Sequence, residues 1–390
     1  MMNRFVVIKK DKVKIGYYFE GKNLIDINCY EEDEILGNVY IGRVSNILNN
    51  INAAFVDVSP ELSCYLSLED YTGKENLKIG SLIPVQISKD SIKTKQPSVT
   101  TDISLTGKNV VIHTDNLLGV SSKIKDNETR ERLKDIFADA LKSFDIIKKC
   151  RDISYGAVIR TAAADEANEA IKDEMITLLT RLDDMLYSAR YLKAYSKIYV
   201  NVPAYIKSMN EYAGREDTEV VTDEKDIYEE YAGYYNEADI RLYNDEMVSL
   251  SNLYNLKSLT DKALNKKAYL NSGAYLVIEV TEAMTVIDVN SGKAIRGNNT
   301  EEYIYKINNE AAKEIARQIR LRNLSGIIVV DFISMKNNEY NKSLLEALSN
   351  YVLTDSIPAK VVDITKLGLV ELTRKKVRKP LHEMAHLIKY

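Results

Sequence analysis

The chain has 390 residues, with 53 Lys+Arg against 57 Asp+Glu and a formal charge of −4. At about 100–200 residues per domain, that length implies two to four domains, and a composition 45% apolar and 28% charged excludes wholesale disorder. A mildly acidic chain weighs against a nucleic-acid partner, because such proteins usually carry excess Lys and Arg.

The charge is uneven, however. Residues 206–247 hold 13 acidic and 4 basic side chains, a local −9 that leaves +5 for the rest, and residues 361–390 carry +4. The acidic stretch is rich in tyrosine, so we expect it to fold as a solvated structured region. No run of 18 apolar residues occurs, so no membrane partner is expected. Met1–Lys10 lacks the apolar core and small-residue cleavage site of a secretory signal. Cys29, Cys64 and Cys150 are far apart without a C-x-x-C pair, which fits a reducing compartment and predicts a cytoplasmic location.

Residues 1–35 read as short strands at Arg4–Ile8, Lys12–Phe19 and Asn23–Asn28, with Glu20 and Gly21 marking a turn. Between 36 and 110, Val39–Leu48, Ala53–Val58, Cys64–Leu68, Ser81–Ser88 and Val99–Leu105 make five strands, which suits an OB-type barrel. Val110–His113 and Gly156–Thr161 follow as strands. Asn127–Lys149 and Asp165–Ser188 read as helices by their apolar spacing, and Ser251–Lys267 is also helical in pattern. From Asn271 the texture becomes α/β. Strands at Ala274–Val280 and Met284–Asn290 precede a helix from a capping box at Asn299 and Glu302 to about Arg322, and a buried strand at Ile327–Ile333. Strand, crossover helix and buried strand make a βαβ unit with parallel strands.

Three constellations could carry chemistry. Alternation puts Asp288 and Asn290 on one strand face, and Asp331 interrupts the apolar run of the next strand. Two carboxylates at strand ends suit a hard divalent cation such as Mg²⁺, against the plainer reading of two unrelated strand-end acids. Lys293, Arg296, Lys313, Arg317 and Arg320 lie near in sequence, as phosphate contacts or as a solvated helix face. Phe55 and Tyr65 on neighbouring barrel strands, with Lys95 in a polar loop, could stack and hold a single strand, or be core. Lastly, residues 382–386 read H-E-x-x-H, the zincin helix signature, with His382 and His386 one turn apart if helical. Too few residues follow for the usual third ligand, so a zinc peptidase is disfavoured.

The runs 274–292 (AYLVIEVTEAMTVIDVNSG), 309–333 (NEAAKEIARQIRLRNLSGIIVVDFI) and 370–376 (VELTRKK) strongly resemble the catalytic heart of the ribonuclease E/G family. Weaker likeness covers 39–44, 53–57 and 157–162. The resemblance implies a Mg²⁺-dependent (Mn²⁺ as alternative), single-strand-specific endoribonuclease that leaves 5′-monophosphate ends and acts in RNA processing and decay. A non-catalytic RNA-binding protein of the same fold is the alternative. It also implies an α+β multidomain fold. An RNase H-like subdomain (1–35 and 205–270) would hold an inserted S1-type OB-fold barrel (36–109) and a 5′-sensor region (110–204), before a DNase I-like α/β catalytic subdomain (271–390).

Carried over by position, Asp288 and Asp331 would ligate the metal, with Asn290 holding Asp288 or the scissile phosphate. Arg160 and Thr161 would recognise the RNA 5′-monophosphate, with Arg374 near and Gly107 and Val111 lining the pocket. Phe55, Tyr65 and Lys95 would bind RNA on the barrel. The family's C-P-x-C zinc-link is missing from the sequence, so a homodimer would form without cysteine-bound zinc, and zinc is not expected.

Overall fold

The computed structural model describes residues 2–31, 35–73, 76–89, 96–215, 217–245, 247–292 and 301–389. Two compact units emerge, one from Met1–Glu34 with Val202–Tyr390 and the other from Ile35–Asn201.

The chain opens the first unit with the antiparallel strands β1 (Asn3–Lys10), β2 (Val13–Glu20) and β3 (Asn23–Glu31). Asp11 and Gly21 take positive φ in the two-residue turns between them, the conformation that twist-matched hairpins require. Both faces of β1 are buried. Val6 and Ile8 belong to one apolar cluster, Phe5 and Val7 to another, which is why the strand reads as a continuous apolar run.

The second unit follows. Strands β4 (Val39–Leu48), β5 (Ala53–Ser59), β6 (Leu62–Ser67), β7 (Leu82–Lys89) and β8 (Ser98–Thr100) pair in the order β4-β5-β6-β8-β7, and a β4–β7 pairing closes them into an OB-like barrel of five strands. The expected strand Val99–Leu105 is broken. Asp102 Oδ1 accepts the Thr114 backbone N–H at 2.9 Å and Thr101 Oγ1 donates to Asp70 O at 2.8 Å, turning the chain between β8 and β9 (Ser104–Thr106).

β9 joins a second sheet with β10 (Val110–His113), β11 (Leu118–Val120) and β12 (Gly156–Ile159), in the order β11-β12-β10-β9. Helices α1 (Asn127–Asp145) and α2 (Asn168–Ala189) share its core. Asp126 caps α1 by accepting the Thr129 N–H at 2.7 Å. The helix stops at Asp145, short of the expected Lys149, because buried Asp183 draws the Lys149 and Cys150 N–H groups (2.7 and 3.0 Å). Strand β13 (Lys197–Tyr199) then pairs with β4.

Back in the first unit, the acidic stretch folds as expected of a structured region. It forms α3 (Ala204–Ala213), β14 (Thr218–Thr222), α4 (Lys225–Ala232) and β15 (Arg241–Leu242), and its strands complete the sheet β15-β14-β1-β2-β3. The helix expected over Ser251–Lys267 is instead two, α5 (Leu250–Leu253) and α6 (Leu256–Leu264). Asn255 between them sits at φ 52°, a left-handed conformation no helix interior tolerates.

The second sheet of this unit is assembled from β16 (Lys267–Tyr269), β17 (Tyr275–Val280), β18 (Met284–Asn290), β19 (Gly326–Asp331), β20 (Ala359–Ile364) and β21 (Val370–Arg374), in the order β16-β17-β18-β19-β21-β20. Helices α7 (Glu301–Leu321), the βαβ crossover, and α8 (Asn338–Val352) share a core with its inner face. The parallel β18–β19 pair is the one expected. The proposed cap Asn299 lies outside the described residues.

The last element is α9 (Ala385–Ile388). His382 and Glu383 lie in the turn before it, and His386 Nδ1 bonds the Glu383 carbonyl oxygen at 3.1 Å. The H-E-x-x-H residues therefore do not share an α-helix, and the zincin arrangement is not formed. Among the described residues no helix is long and apolar enough to cross a membrane.

Candidate active site

Strand β18 alternates strictly. Thr285, Ile287 and Val289 are buried, whereas Val286 and Asp288 face out and Asn290 is half-buried on the same side. Register pairs Asp288 with Asp331 directly across the β18–β19 ladder, so the two carboxylates stand side by side on the outer face. Neighbouring strands lie about 4.8 Å apart. Asn290 Nδ2 donates to Asp288 Oδ2 at 2.6 Å, fixing that carboxylate and leaving its second oxygen available. Among the described residues neither carboxylate meets a cationic side chain. Like charges on paired strand positions repel, and a divalent cation between them reverses the sign of the interaction. Just beyond β18, Gly292 sits at φ +54°, and a Cβ there would meet the Gly273 carbonyl oxygen at 2.5 Å, so the turn leaving the site requires glycine.

The cations expected nearby divide. Lys293 and Arg296 lie outside the described residues. Arg317 forks onto Glu314 (2.6 and 2.8 Å) and donates to Leu24 O at 2.7 Å, while Arg320 reaches Asp26 at 3.3 Å. These two side chains tie α7 to β3 rather than standing free beside the carboxylates. Burial pushes the Asp26 carboxyl up from its ordinary value, with Arg320 opposing it. Arg374 is also turned inward. It donates to Asp355 (2.7 Å from Nε), to Asn323 Oδ1 (2.7 Å) and to Leu324 O (3.1 Å), and its side chain is 2% exposed.

In the other unit, four residues expected to sense a 5′-phosphate do come together. Arg160 follows β12. Its N–H donates to Asn109 O at 2.8 Å, its Nη1 to Gly107 O at 2.7 Å, and the rest of its guanidinium is exposed. Thr161 Oγ1 lies 3.0 Å from Ser121 Oγ, and Val111 pairs with Val158 across β10–β12.

What holds this group is not legible in the sequence. Glu174 of α2 accepts the Asn109 N–H at 3.0 Å and its Nδ2 at 2.8 Å. A Cβ on Gly107 would meet Glu174 Oε1 at 2.0 Å, so a side chain there would push the carboxylate away from Asn109. Lys108 pairs with Glu166 at 2.7 Å beside it. The Asn109–Glu174 contacts join residues 65 positions apart and the Lys108–Glu166 pair 58, and no local pattern signals them.

On the barrel, Phe55 and Tyr65 are register partners across β5–β6, half-exposed and edge-to-face with ring centres 6.4 Å apart. Lys95 lies outside the described residues. Asp102, His113 and Asp115 form another cluster in this unit, with ligand-capable atoms within 4.8 Å of one another, and they could hold a divalent metal ion. His113 is 5% exposed, its Nδ1 faces Asp115 closely, and its Nε2 has no hydrogen-bond partner. Nothing in the spacing of these residues marked them in advance. Burial pushes the Cys29 and Cys64 thiols up to about 12 and Cys150 to about 11, so none is a ready nucleophile.

This arrangement, carboxylates on an open sheet face in a chain that also carries an OB-like barrel, suits chemistry on a nucleic acid. Comparison with known proteins makes it specific. Residues 104–377 match the Ribonuclease E/G family. The chain is 32% identical over 378 residues to ribonuclease G of Haemophilus influenzae, spanning 90% of this chain and 74% of that protein. To ribonuclease G of Escherichia coli (strain K12) it is 30% identical over 398 residues, 94% of this chain and 78% of that one. Ribonuclease E of H. influenzae is 27% identical over 405 residues, 97% of this chain and 42% of the longer relative. The chain belongs to the ribonuclease E/G family and is an endoribonuclease, an enzyme of RNA processing.

Proposed function

We propose that the chain cleaves single-stranded RNA at the Asp288–Asp331 pair with the help of Mg²⁺, leaves 5′-monophosphate ends and favours substrates that already carry one. The observation that carries this is the in-register placement of two exposed carboxylates on neighbouring strand ends, one of them held by Asn290. The donor set fits the ion, because Mg²⁺ takes oxygen ligands, binds through one or two carboxylates and keeps several waters. Asp288 and Asp331 would hold it, and when bound it would supply an ionised water and offset charge developing on the phosphodiester.

The chain's own residues do the positioning. Asn290 keeps one Asp288 oxygen turned to the site. Phe55 and Tyr65 offer ring faces on which bases of an unpaired strand can stack, which a duplex would not supply. Arg160, anchored through Gly107 O, presents its remaining N–H groups to a terminal phosphate, and the Thr161 hydroxyl adds one more donor. On this reading the sheet of β1–β3 with β14 and β15 is the RNase H-like part, the β16–β21 sheet is the DNase I-like part, and the β9–β12 sheet is the 5′-sensor region. The enzyme would work in the cytoplasm.

One test isolates the sensor. Arg160→Ala is expected to reduce the preference for 5′-monophosphorylated over 5′-hydroxyl RNA about tenfold, since a charge-assisted contact contributes roughly 1.5–3 kcal/mol. Cleavage of the 5′-hydroxyl substrate should stay near wild type. An unchanged preference would remove the sensor assignment while leaving the nuclease reading intact.

A further inference from the structure

The outer face of the β16–β21 sheet carries more than the two carboxylates. Register sets Lys267 opposite Val277, Val277 opposite Asp288 and Asp288 beside Asp331, one row across four strands. The adjoining row is Tyr269, Tyr275 and Asn290. Side chains paired across neighbouring strands point to the same face, and burial agrees. Ala268, Leu276, Ile278, Ile287 and Val289 are buried in the core shared with α7 and α8, while Lys267, Tyr269 and Asp288 are exposed. Tyr269 is 74% exposed. Its ring centre lies 5.9 Å from that of Tyr275, and Lys267 Nζ lies 4.7 Å from the Tyr275 ring centre. At the usual strand spacing of about 4.8 Å, Tyr275 stands one strand from Asp288 and Tyr269 two.

We propose that Tyr269, Tyr275 and Lys267 form a platform that holds single-stranded RNA beside the scissile phosphate. The two rings would stack on consecutive bases, and the Lys267 ammonium would meet the backbone phosphate between them. The inference rests on the reading of Asp288 and Asp331 as the cleavage site. The occupant follows from placement, because whatever covers these rings also lies across the carboxylates, and the molecule that must reach the carboxylates is the substrate. Stacking tolerates any base, so the platform grips nucleotides next to the cleaved bond without fixing their sequence.

Binding of a short 3′-fluorescein oligouridine, followed by anisotropy in EDTA so that nothing is cleaved, tests this in the full chain. Tyr269→Ala and Tyr275→Ala should each raise Kd about tenfold, whereas Tyr269→Phe and Tyr275→Phe should stay within about twofold of wild type. Unchanged Kd in both alanine variants, or equal losses in the phenylalanine variants, would overturn the platform. So would a change in oligomeric state with RNA affinity unaltered, which would make the face a protein interface. Should an alanine variant melt early, photo-crosslinking of wild type to 4-thiouridine RNA decides instead. Adducts on the Tyr269 or Tyr275 peptide support the proposal, and adducts confined to other segments refute it. Wild type that binds through these residues but does not cleave when Mg²⁺ is added would refute Mg²⁺-dependent cleavage at Asp288 and Asp331, leaving the stacking residues as an RNA-binding face alone.

Discussion

Asp288→Asn and Asp331→Asn are each expected to lower Mg²⁺-dependent cleavage by at least about a hundredfold, the scale on which removing one preorganised electrostatic contact slows an enzyme. The substitution keeps the shape of the side chain and removes the charge that would hold the cation. Both positions are exposed on the outer face of the β18–β19 ladder, so neither fold nor RNA affinity should change much. Anisotropy and thermal melting provide those controls. Asp288→Asn also turns the Asn290 contact into an amide pair, which the Asp331 variant leaves alone, so comparing the two separates loss of charge from loss of orientation. Full activity in both variants would place the chemistry elsewhere, with Asp102, His113 and Asp115 the next site to test.

The second large effect concerns stability. Arg374→Ala should destabilise the unit that contains β21 by about 3–5 kcal/mol, because removing one partner strands a buried charge on the other. Asp355 is 4% exposed in its side chain, and the Asn323 and Leu324 oxygens would lose their donor at the same time. Arg374→Lys should recover little, since an ammonium cannot reproduce the fork onto Asp355. Urea unfolding measures the loss, and a change below about 1 kcal/mol would show that the contacts contribute little.

The elements nearest the chemistry were the most legible. The bounds Met284–Asn290 are legible because alternation and Gly292 leave little choice, and the parallel β18–β19 pair follows from a crossover helix between two apolar runs. The barrel strands were visible for the same reason. What escaped was whatever depends on distant partners. The stop of α1 at Asp145 is set by Asp183 on another helix, and the break of the last barrel strand by Thr114 just after β10.

The site shows the same division. Asp288 beside Asp331 follows from strand register, but the orientation of a long flexible cation does not. Arg317 and Arg320 have the helical spacing of a phosphate-binding face, yet the fold brings β3 within reach and they pair there. The net charge misled for a related reason. The acid is concentrated in residues 206–247, so the sum over the chain says little about the face that carries the carboxylates.

The most direct measurement is to incubate the purified chain with 5′-monophosphorylated single-stranded RNA, with Mg²⁺ and with EDTA, and to determine the chemistry of the new ends. Internal cleavage that needs Mg²⁺, leaves a 5′-phosphate on the downstream fragment and disappears in Asp331→Asn is the predicted result. Cleavage that persists in EDTA, or downstream fragments that begin with a 5′-hydroxyl, would contradict the account.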